Sequence, residues 1–195
     1  MLSLLKRMNL PNKLTLMRIA LTPVMCAFLC VETHWAQLAA ALIFVAAAVT
    51  DLFDGRIART RGLITDFGKL MDPIADKLLV IAAMVFLTAQ HRMNAGACVV
   101  IIARELIISG FRMVAASRGV VIAAGPLGKY KTVIQMIFVT MGILCLGFGG
   151  LNPVLDWTPL AILTRVMMWA ALALAALSCV DYIRRNSHVI DTTNI

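Results

Sequence analysis

Four aspartates lie close together in a chain that is otherwise poor in acidic residues. The 195 residues include ten Asp and Glu side chains, and four of these are Asp51, Asp54, Asp72 and Asp76. On a helix, Asp51 and Asp54 are three residues apart and share a face, and Asp72 and Asp76, four apart, do the same. Two such helices, joined by a basic hairpin, could close two faces of carboxylates on one site.

Carboxylates brought together without a partner repel each other and take up protons. A divalent cation removes this conflict, and an all-oxygen ligand set favours a hard ion, Mg²⁺ or Mn²⁺. Four carboxylates could hold two ions that share a ligand, which suits a pyrophosphate and a phosphoryl transfer. The alternative from spacing alone is a set of salt bridges with Arg56, Arg59 and Lys77.

The composition indicates a membrane protein. The chain is 61% hydrophobic and 14% charged, whereas a soluble domain is roughly half apolar and about a quarter charged. Six apolar spans of about 20 residues can be drawn: Leu14–Val31, Ala36–Ala58, Phe67–Gln90, Ala95–Arg112, Lys131–Phe148 and Leu160–Ile183. We therefore expect an all-α integral membrane protein with six transmembrane helices in a single domain, residues 1–195.

Two details of the spans are left open by the sequence. Met1–Leu10 is predicted to form a short interfacial helix. The alternative is a cleaved signal peptide, which the absence of a small-residue cleavage pattern disfavours. Pro73 would remove a backbone hydrogen bond from a helix that already runs at Gly68. We expect that helix either to begin near Leu70 or to bend at Pro73.

Basic residues are distributed unevenly between the two sides of the predicted spans. Fifteen of the eighteen Lys and Arg residues fall on one side, Arg92 and Arg165 fall on the other, and Arg104 lies within a span. By the positive-inside rule, both termini and the acidic motif face the cytoplasm of a multi-pass protein in the cell (inner) membrane. The net charge of +8 fits an anionic bilayer surface and anionic substrates, and we expect no nucleic-acid partner.

The pattern around the aspartates extends beyond these four positions. Asp-x2-Asp-Gly-x2-Ala-Arg-x8-Gly-x3-Asp-x3-Asp is complete from Asp51 to Asp76. It resembles the signature of the CDP-alcohol phosphatidyltransferase family, whose six-helix layout is similar to the six spans. Residues 46–51, 102–109 and 128–132 look most like the bacterial phosphatidylglycerophosphate synthases within that family.

The resemblance implies an enzyme that transfers the phosphatidyl group of CDP-diacylglycerol to sn-glycerol 3-phosphate, giving phosphatidylglycerophosphate and CMP. It implies that the four aspartates bind two Mg²⁺ or Mn²⁺ ions and that Asp76 also takes the proton of the acceptor hydroxyl. It further implies a cytidine nucleotide pocket lined by Gly55, Ala58 and Gly68, with Arg59 at the pyrophosphate.

The family's Asn-x2-Thr-x2-Arg motif is seen as Asn12, Thr15 and Arg18. Nucleotide binding by Thr15 and Arg18 is one interpretation, and a helix start with a cytoplasmic anchor is an equal alternative.

Basic residues after the fourth span form a second candidate set. Arg112 and Arg118 are predicted near the end of one helix, and Lys129 and Lys131 at the start of the next, where the helix N-terminus adds attraction for an anion. We expect this set to bind the phosphate of the acceptor, and the alternative is an anchor that contacts anionic lipid. Arg104 and Glu105 could form a buried ion pair between helices or take part in catalysis.

Alternatives at the level of function also stay open. A member of the same family could use serine, inositol phosphate or phosphatidylglycerol as acceptor. A divalent-cation transporter could use the same carboxylates, although transporter sites lie near the bilayer midplane and these aspartates are predicted at the cytoplasmic ends of the spans. The sequence also leaves open whether the chain forms a homodimer.

Overall fold

A computed structural model shows an α-helical chain. It describes the backbone of residues 10–61, 66–117, 119–120, 122, 125–148 and 152–186, and the side chains of all of these but 10–12, 51–61, 66–73, 76 and 117. This part of the chain contains six helices and no strand. The helices are α1 (Leu10–Leu29), α2 (His34–Arg61), α3 (Asp66–Ala89), α4 (Ala95–Ser117), α5 (Pro126–Gly147) and α6 (Pro159–Asn186). The all-α prediction is confirmed, and each predicted span lies on its own helix.

The helix ends correct one expectation and leave another outside the described residues. α3 begins at Asp66 and runs through Pro73 to Ala89, so the alternative in which this helix begins near Leu70 is wrong. The predicted interfacial helix Met1–Leu10 lies outside the described residues, apart from Leu10, which opens α1. Prolines also mark helix starts, since Pro126 and Pro159 occupy the first positions of α5 and α6, where a backbone N–H has no helical partner.

Glycines allow close approach of α5 to its neighbours. A Cβ atom on Gly147 would lie 2.7 Å from Leu38 Cδ2 of α2, and one on Gly142 would lie 2.9 Å from Leu87 Cδ1 of α3. Both glycines are buried, and the buried core contains large side chains such as Phe44 and Phe138 together with several alanines. Small residues at helix contacts are the usual means of close packing in membrane bundles.

The helix connections alternate between two ends of the bundle. The α1–α2, α3–α4 and α5–α6 connections share one end, where Gln90 Nε2 donates to the backbone oxygen of Leu29 at 3.0 Å. We call this the tryptophan end, because Trp35 and Trp157 are 84% and 80% exposed there. The opposite end, with the last turns of α2, α4 and α6 and the first turns of α3 and α5, is called the motif end.

The acidic motif lies near one end of each of the two helices that carry it. Among the described residues, α5 and α6 are long and apolar enough to cross a membrane, and α2 and α3 contain shorter apolar stretches, His34–Thr50 and Lys77–Ala89. Asp51 and Asp54 lie within the last eleven residues of α2, and Asp72 and Asp76 lie within the first eleven residues of α3. The aspartates therefore lie toward the motif end of α2 and α3, in agreement with their predicted position at the ends of the spans.

Candidate active site

A cleft of about 230 Å³ opens between α3, α4, α5 and α6 at the motif end. The charged side chains described in its lining are Lys77, Arg104, Glu105, Arg112, Lys131 and Asp181. Four of them are cations and two are carboxylates, so this part of the lining carries excess positive charge. A recessed surface of one sign concentrates counter-ions of the opposite sign, and the cleft is therefore suited to an anion.

The cleft begins beside one of the predicted aspartates. Lys77, which follows Asp76 directly in α3, lines it, and Val80 and Ile81 continue the same wall. The backbones of α2 and α3 carry the whole motif, but the motif's side chains lie outside the described residues: Asp51, Asp54, Gly55, Ala58, Arg59, Gly68, Asp72 and Asp76. Their placement on two consecutive helices agrees with the sequence, and their roles as ligands stay predictions.

A network of polar side chains forms one wall of the cleft. Arg104 of α4 donates from Nε and Nη2 to Ser178 Oγ of α6, at 3.2 and 2.9 Å. Glu105 contacts the ammonium group of Lys131 on α5 and lies 3.3 Å from Arg104 Nη1. The Arg104, Glu105 and Lys131 side chains are 10%, 15% and 2% exposed. Arg104 and Glu105 therefore each join α4 to another helix in the cleft: Glu105 to α5 by an ion pair and Arg104 to α6 by hydrogen bonds.

Tyr182 of α6 contributes a buried hydroxyl to the same cleft. The residue is 8% exposed, and its ring packs edge-on against Phe111 with centroids 5.6 Å apart. Within the described part of the chain, its Oη atom has no hydrogen-bond partner. Because a buried polar group without a partner is costly, this hydroxyl is suited to bind a ligand in the cleft.

The predicted phosphate ligands do not all meet at this cleft. Arg112 and Lys131 line it, whereas Lys129 is exposed and is not among the lining residues. Two residues along a helix turn the side chain by about 200°, so Lys129 and Lys131 cannot share one face. Arg118 lies outside the described residues.

The N-terminus of α5 faces the cleft, as the sequence predicted for an anion site. Gly125, Leu127 and Gly128 are part of the lining. Gly125 is the N-cap residue and provides no side-chain hydrogen bond to the first turn. Pro126 has no N–H, and the N–H groups of Gly128 and Lys129 donate to the Gly125 oxygen at 3.1 and 3.3 Å. The helix dipole is therefore the main reason that this terminus favours a bound anion.

Several lining residues were not singled out from the sequence. On α6 they are Ser178, Asp181 and Tyr182, spaced at three and four residues on an otherwise apolar helix. Polar residues at helical spacing within an apolar span are a signal for a functional face. That pattern could have identified the α6 wall of the cleft.

Thr15 and Arg18 of α1 are buried, with exposed fractions of 1% and 3%. Thr22, one turn further along, donates from Oγ1 to the backbone oxygen of Arg18 at 3.0 Å. A membrane-surface anchor would hold its cation in the polar interface, and such burial argues against that interpretation. Nucleotide binding by Thr15 and Arg18 stays a prediction.

Comparisons with known proteins agree on one family. A profile described as CDP-alcohol phosphatidyltransferase matches residues 8–177. A relative from Bacillus subtilis (strain 168), named CDP-diacylglycerol--glycerol-3-phosphate 3-phosphatidyltransferase, is 38% identical over 95% of this chain and 99% of its own length. A relative from Rickettsia bellii (strain RML369-C) with the same name is 38% identical over 90% and 94%. A relative from Mycobacterium tuberculosis (strain ATCC 25618 / H37Rv), named probable phosphatidylglycerophosphate synthase, is 37% identical over 91% and 81%.

Proposed function

Since this chain belongs to the CDP-alcohol phosphatidyltransferase family, we propose that it transfers the phosphatidyl group of CDP-diacylglycerol to sn-glycerol 3-phosphate. The products would be phosphatidylglycerophosphate and CMP. The Bacillus and Rickettsia relatives are named for this pair of substrates. The observation that supports the acceptor is the cation-rich cleft that begins on α3 beside Asp76.

The cleft fits the phosphate of the acceptor in charge and in size. A phosphate monoester carries about −1.5 to −2 charge at pH 7, which would offset four cations facing two carboxylates. Lys131, Arg112 and the N-terminus of α5 would bind its oxygens, and the Tyr182 hydroxyl would donate to it or to the glycerol. The volume of about 230 Å³ is below the roughly 300–1,000 Å³ of pockets for drug-sized ligands, so a small polar acceptor fits better than phosphatidylglycerol. Serine has no phosphate group, so as the acceptor it would leave the cations of the cleft without a phosphate to bind.

The aspartates of the motif would hold two Mg²⁺ or Mn²⁺ ions. Carboxylate oxygens are the ligands that these ions prefer, and the motif lies toward the motif end of α2 and α3, so hydrated ions can approach it. Bound ions would neutralise the pyrophosphate and the charge that develops during phosphoryl transfer.

In this mechanism, Asp76 would accept the proton of the acceptor hydroxyl as its oxygen attacks the phosphorus that carries the lipid. A new P–O bond forms, the bond from that phosphorus to CMP breaks, and CMP leaves. The positive charge of Arg59 would stabilise the pyrophosphate. Gly55, Ala58, Gly68, Thr15 and Arg18 would contact the nucleotide.

We also propose that the chain is a single domain whose six helices span the cell (inner) membrane with the motif end in the cytoplasm. The cations of the cleft and Arg184 and Arg185 at the end of α6 support this orientation by the positive-inside rule. The exposed Trp35 and Trp157 suit an aromatic belt at the other face. The lipid tails of the substrate would then stay in the bilayer while its headgroup meets the aspartates.

Product identification tests the acceptor directly. Purified protein is incubated with CDP-diacylglycerol, Mg²⁺ or Mn²⁺, and either glycerol 3-phosphate, glycerol, serine or inositol phosphate. Of these four acceptors, we expect only glycerol 3-phosphate to react, giving phosphatidylglycerophosphate and CMP. Without a divalent cation, we expect no CMP. Phosphatidylserine as the main product would overturn the acceptor. Divalent-ion uptake by protein-containing vesicles, with no lipid product from any acceptor, would instead support the transporter alternative.

Cysteine labelling tests the orientation. In a background without the native cysteines, a membrane-impermeant maleimide added to intact cells should label Leu155→Cys, in the α5–α6 connection. It should not label Tyr130→Cys, at the start of α5. These two side chains are 70% and 66% exposed, so exposure within the protein does not decide the result. The reverse pattern would place the motif end outside the cell.

A further inference from the structure

Glu105 places a carboxylate in the wall of a cleft that we assign to an anion. This position of a negative charge requires a physical explanation. It would repel the phosphate of the acceptor directly. Its side chain is 15% exposed and contacts the ammonium group of Lys131, whose side chain is 2% exposed. Taking a lysine ammonium out of water is costly unless a partner compensates its charge. Glu105 provides that partner, so it allows Lys131 to stand in the cleft as a cation.

The direction of the Lys131 side chain depends on the same contact. Lysine has a flexible four-carbon stem and no preferred planar geometry, so the stem alone does not hold the ammonium at one place. Arg104 differs, because two of its nitrogens are held by Ser178 at 3.2 and 2.9 Å. Its third nitrogen, Nη1, lies 3.3 Å from Glu105. Glu105 is thus fixed from one side by Arg104 and in turn fixes Lys131 on the other.

We propose that Glu105 is a positioning residue for the acceptor, acting through Lys131 and not on the substrate itself. It places the Lys131 ammonium before the phosphate arrives, so that binding does not have to order a long side chain. This inference rests on the proposed function, since it requires that Lys131 binds the acceptor phosphate. A purely structural role for Glu105, as a link between α4 and α5, would lower stability and leave the acceptor KM unchanged.

A double-mutant cycle tests whether Glu105 acts through Lys131. Glu105→Gln, Lys131→Met and the double variant are purified, and the KM of each is measured for glycerol 3-phosphate and for CDP-diacylglycerol. We expect each single variant to raise the KM for glycerol 3-phosphate about tenfold or more, the effect of one charge-assisted hydrogen bond. The double variant should match Lys131→Met, and the KM for CDP-diacylglycerol should stay within about twofold throughout.

Two further variants make the cycle interpretable. Glu105→Asp keeps the charge but shortens the side chain, and it should recover a substantial part of the loss seen with Glu105→Gln. If Glu105→Gln does not fold, the cycle is run with Glu105→Asp, which should raise the acceptor KM severalfold with Lys131 present and not at all with Lys131→Met. Glu32→Gln removes an exposed carboxylate at the tryptophan end and should change neither KM.

The outcomes separate this inference from the proposed function. If Lys131→Met raises the acceptor KM but Glu105→Gln does not, or if the two effects multiply in the double variant, Glu105 does not position Lys131. If Lys131→Met leaves the acceptor KM unchanged, the acceptor site itself is wrong, and the role of Glu105 is overturned with it.

Discussion

Partly or fully buried cations have different partners at the two ends of the bundle. At the tryptophan end, Arg165 donates from Nε to the backbone oxygen of Pro153 at 2.7 Å and from Nη2 to that of Asp156 at 2.9 Å. Its guanidinium carbon also lies 5.5 Å from the centroid of the Trp157 ring. These partners all belong to the connection between α5 and α6, so Arg165 fastens that connection to the helix.

At the motif end, the described partners of Arg104 and Lys131 are side chains. Arg104 donates a hydrogen bond to Ser178, and Lys131 forms an ion pair with Glu105, in the wall of a cleft of about 230 Å³. Side-chain partners can be rearranged or shared when a ligand binds, whereas a backbone carbonyl in a fixed connection has to keep its donor. The partner of a partly or fully buried cation, and the presence of a cavity beside it, therefore distinguish a cation for binding from a cation for folding.

The largest effect is expected at the acidic motif. Asp72→Asn or Asp76→Asn keeps the size of the side chain but removes charge from the predicted metal ligands, and each should lower turnover by orders of magnitude. Turnover is measured as CMP release from CDP-diacylglycerol, together with a thermal unfolding measurement to show that the protein is folded. Asp156→Asn, at the tryptophan end, is the matched control and should keep near-normal turnover. Near-normal turnover of Asp76→Asn would contradict both its metal role and its role as base.

The next largest effect separates two lysines on one helix. Lys131→Met removes a cation from the cleft and should raise the KM for glycerol 3-phosphate about tenfold or more, since a charge-assisted hydrogen bond contributes roughly 1.5–3 kcal/mol. Lys129→Met is the matched control, because Lys129 is exposed on another face of α5. It should change that KM less than about threefold. Equal effects of the two variants would show that the charge of this end of the bundle matters, and not the placement of the cation.

The pair of lysines also shows where the sequence was sufficient and where it was not. The hydrophobic spans predicted six helices and their ends to within five residues, because hydrophobicity is a local property of the sequence. The motif is also local, and it correctly indicated that the aspartates lie on two consecutive helices. The sequence grouped Lys129 with Lys131 because both follow the α4–α5 connection, although their spacing on a helix separates them.

Contacts between helices far apart in the chain could not be predicted from one sequence. Ser178 is 74 residues from Arg104, and Lys131 is 26 residues from Glu105. Which faces of α4, α5 and α6 meet depends on packing, including the close approach at Gly142 and Gly147. The sequence therefore marked Arg104 and Glu105 as unusual within an apolar span but left their partners open.

A smaller effect, on stability and not on turnover, is expected at Arg165. Arg165→Gln should leave carbonyls of the α5–α6 connection without their donors and lower the free energy of unfolding by about 1–3 kcal/mol. For a chain of this length, each kcal/mol corresponds to a shift in Tm of roughly 2–4 °C, which is measurable by thermal unfolding in detergent. Arg165→Lys should recover little, because an ammonium lacks the fork that binds two carbonyls. Unchanged stability, or a raised KM for either substrate, would remove the contrast between the two ends.

The smallest effect is expected at an exposed ion pair of the motif end. Arg185 Nε lies 2.7 Å from Asp181 Oδ1, one turn earlier on α6, and the two side chains are 68% and 31% exposed. Exposed pairs at this spacing contribute about 0.3–0.5 kcal/mol, so Arg185→Gln should lower Tm by about 1–2 °C, and less at high salt. The KM values for glycerol 3-phosphate and CDP-diacylglycerol should both stay within about twofold, because Arg185 does not line the cleft. Lys131→Met, by contrast, should raise the KM for glycerol 3-phosphate.

Asp181 does line the cleft, so the Arg185 variant needs its own control. In Arg185→Gln the Asp181 carboxylate loses its partner and could repel the acceptor phosphate. The double variant Asp181→Asn/Arg185→Gln removes both charges. It should therefore abolish any rise in the acceptor KM that this carboxylate causes in Arg185→Gln. A rise in the double variant as large as that of Lys131→Met would mean that the summed charge of the motif end attracts the acceptor. In that case burial and placement in the cleft would no longer distinguish Lys131 from the exposed cations around it.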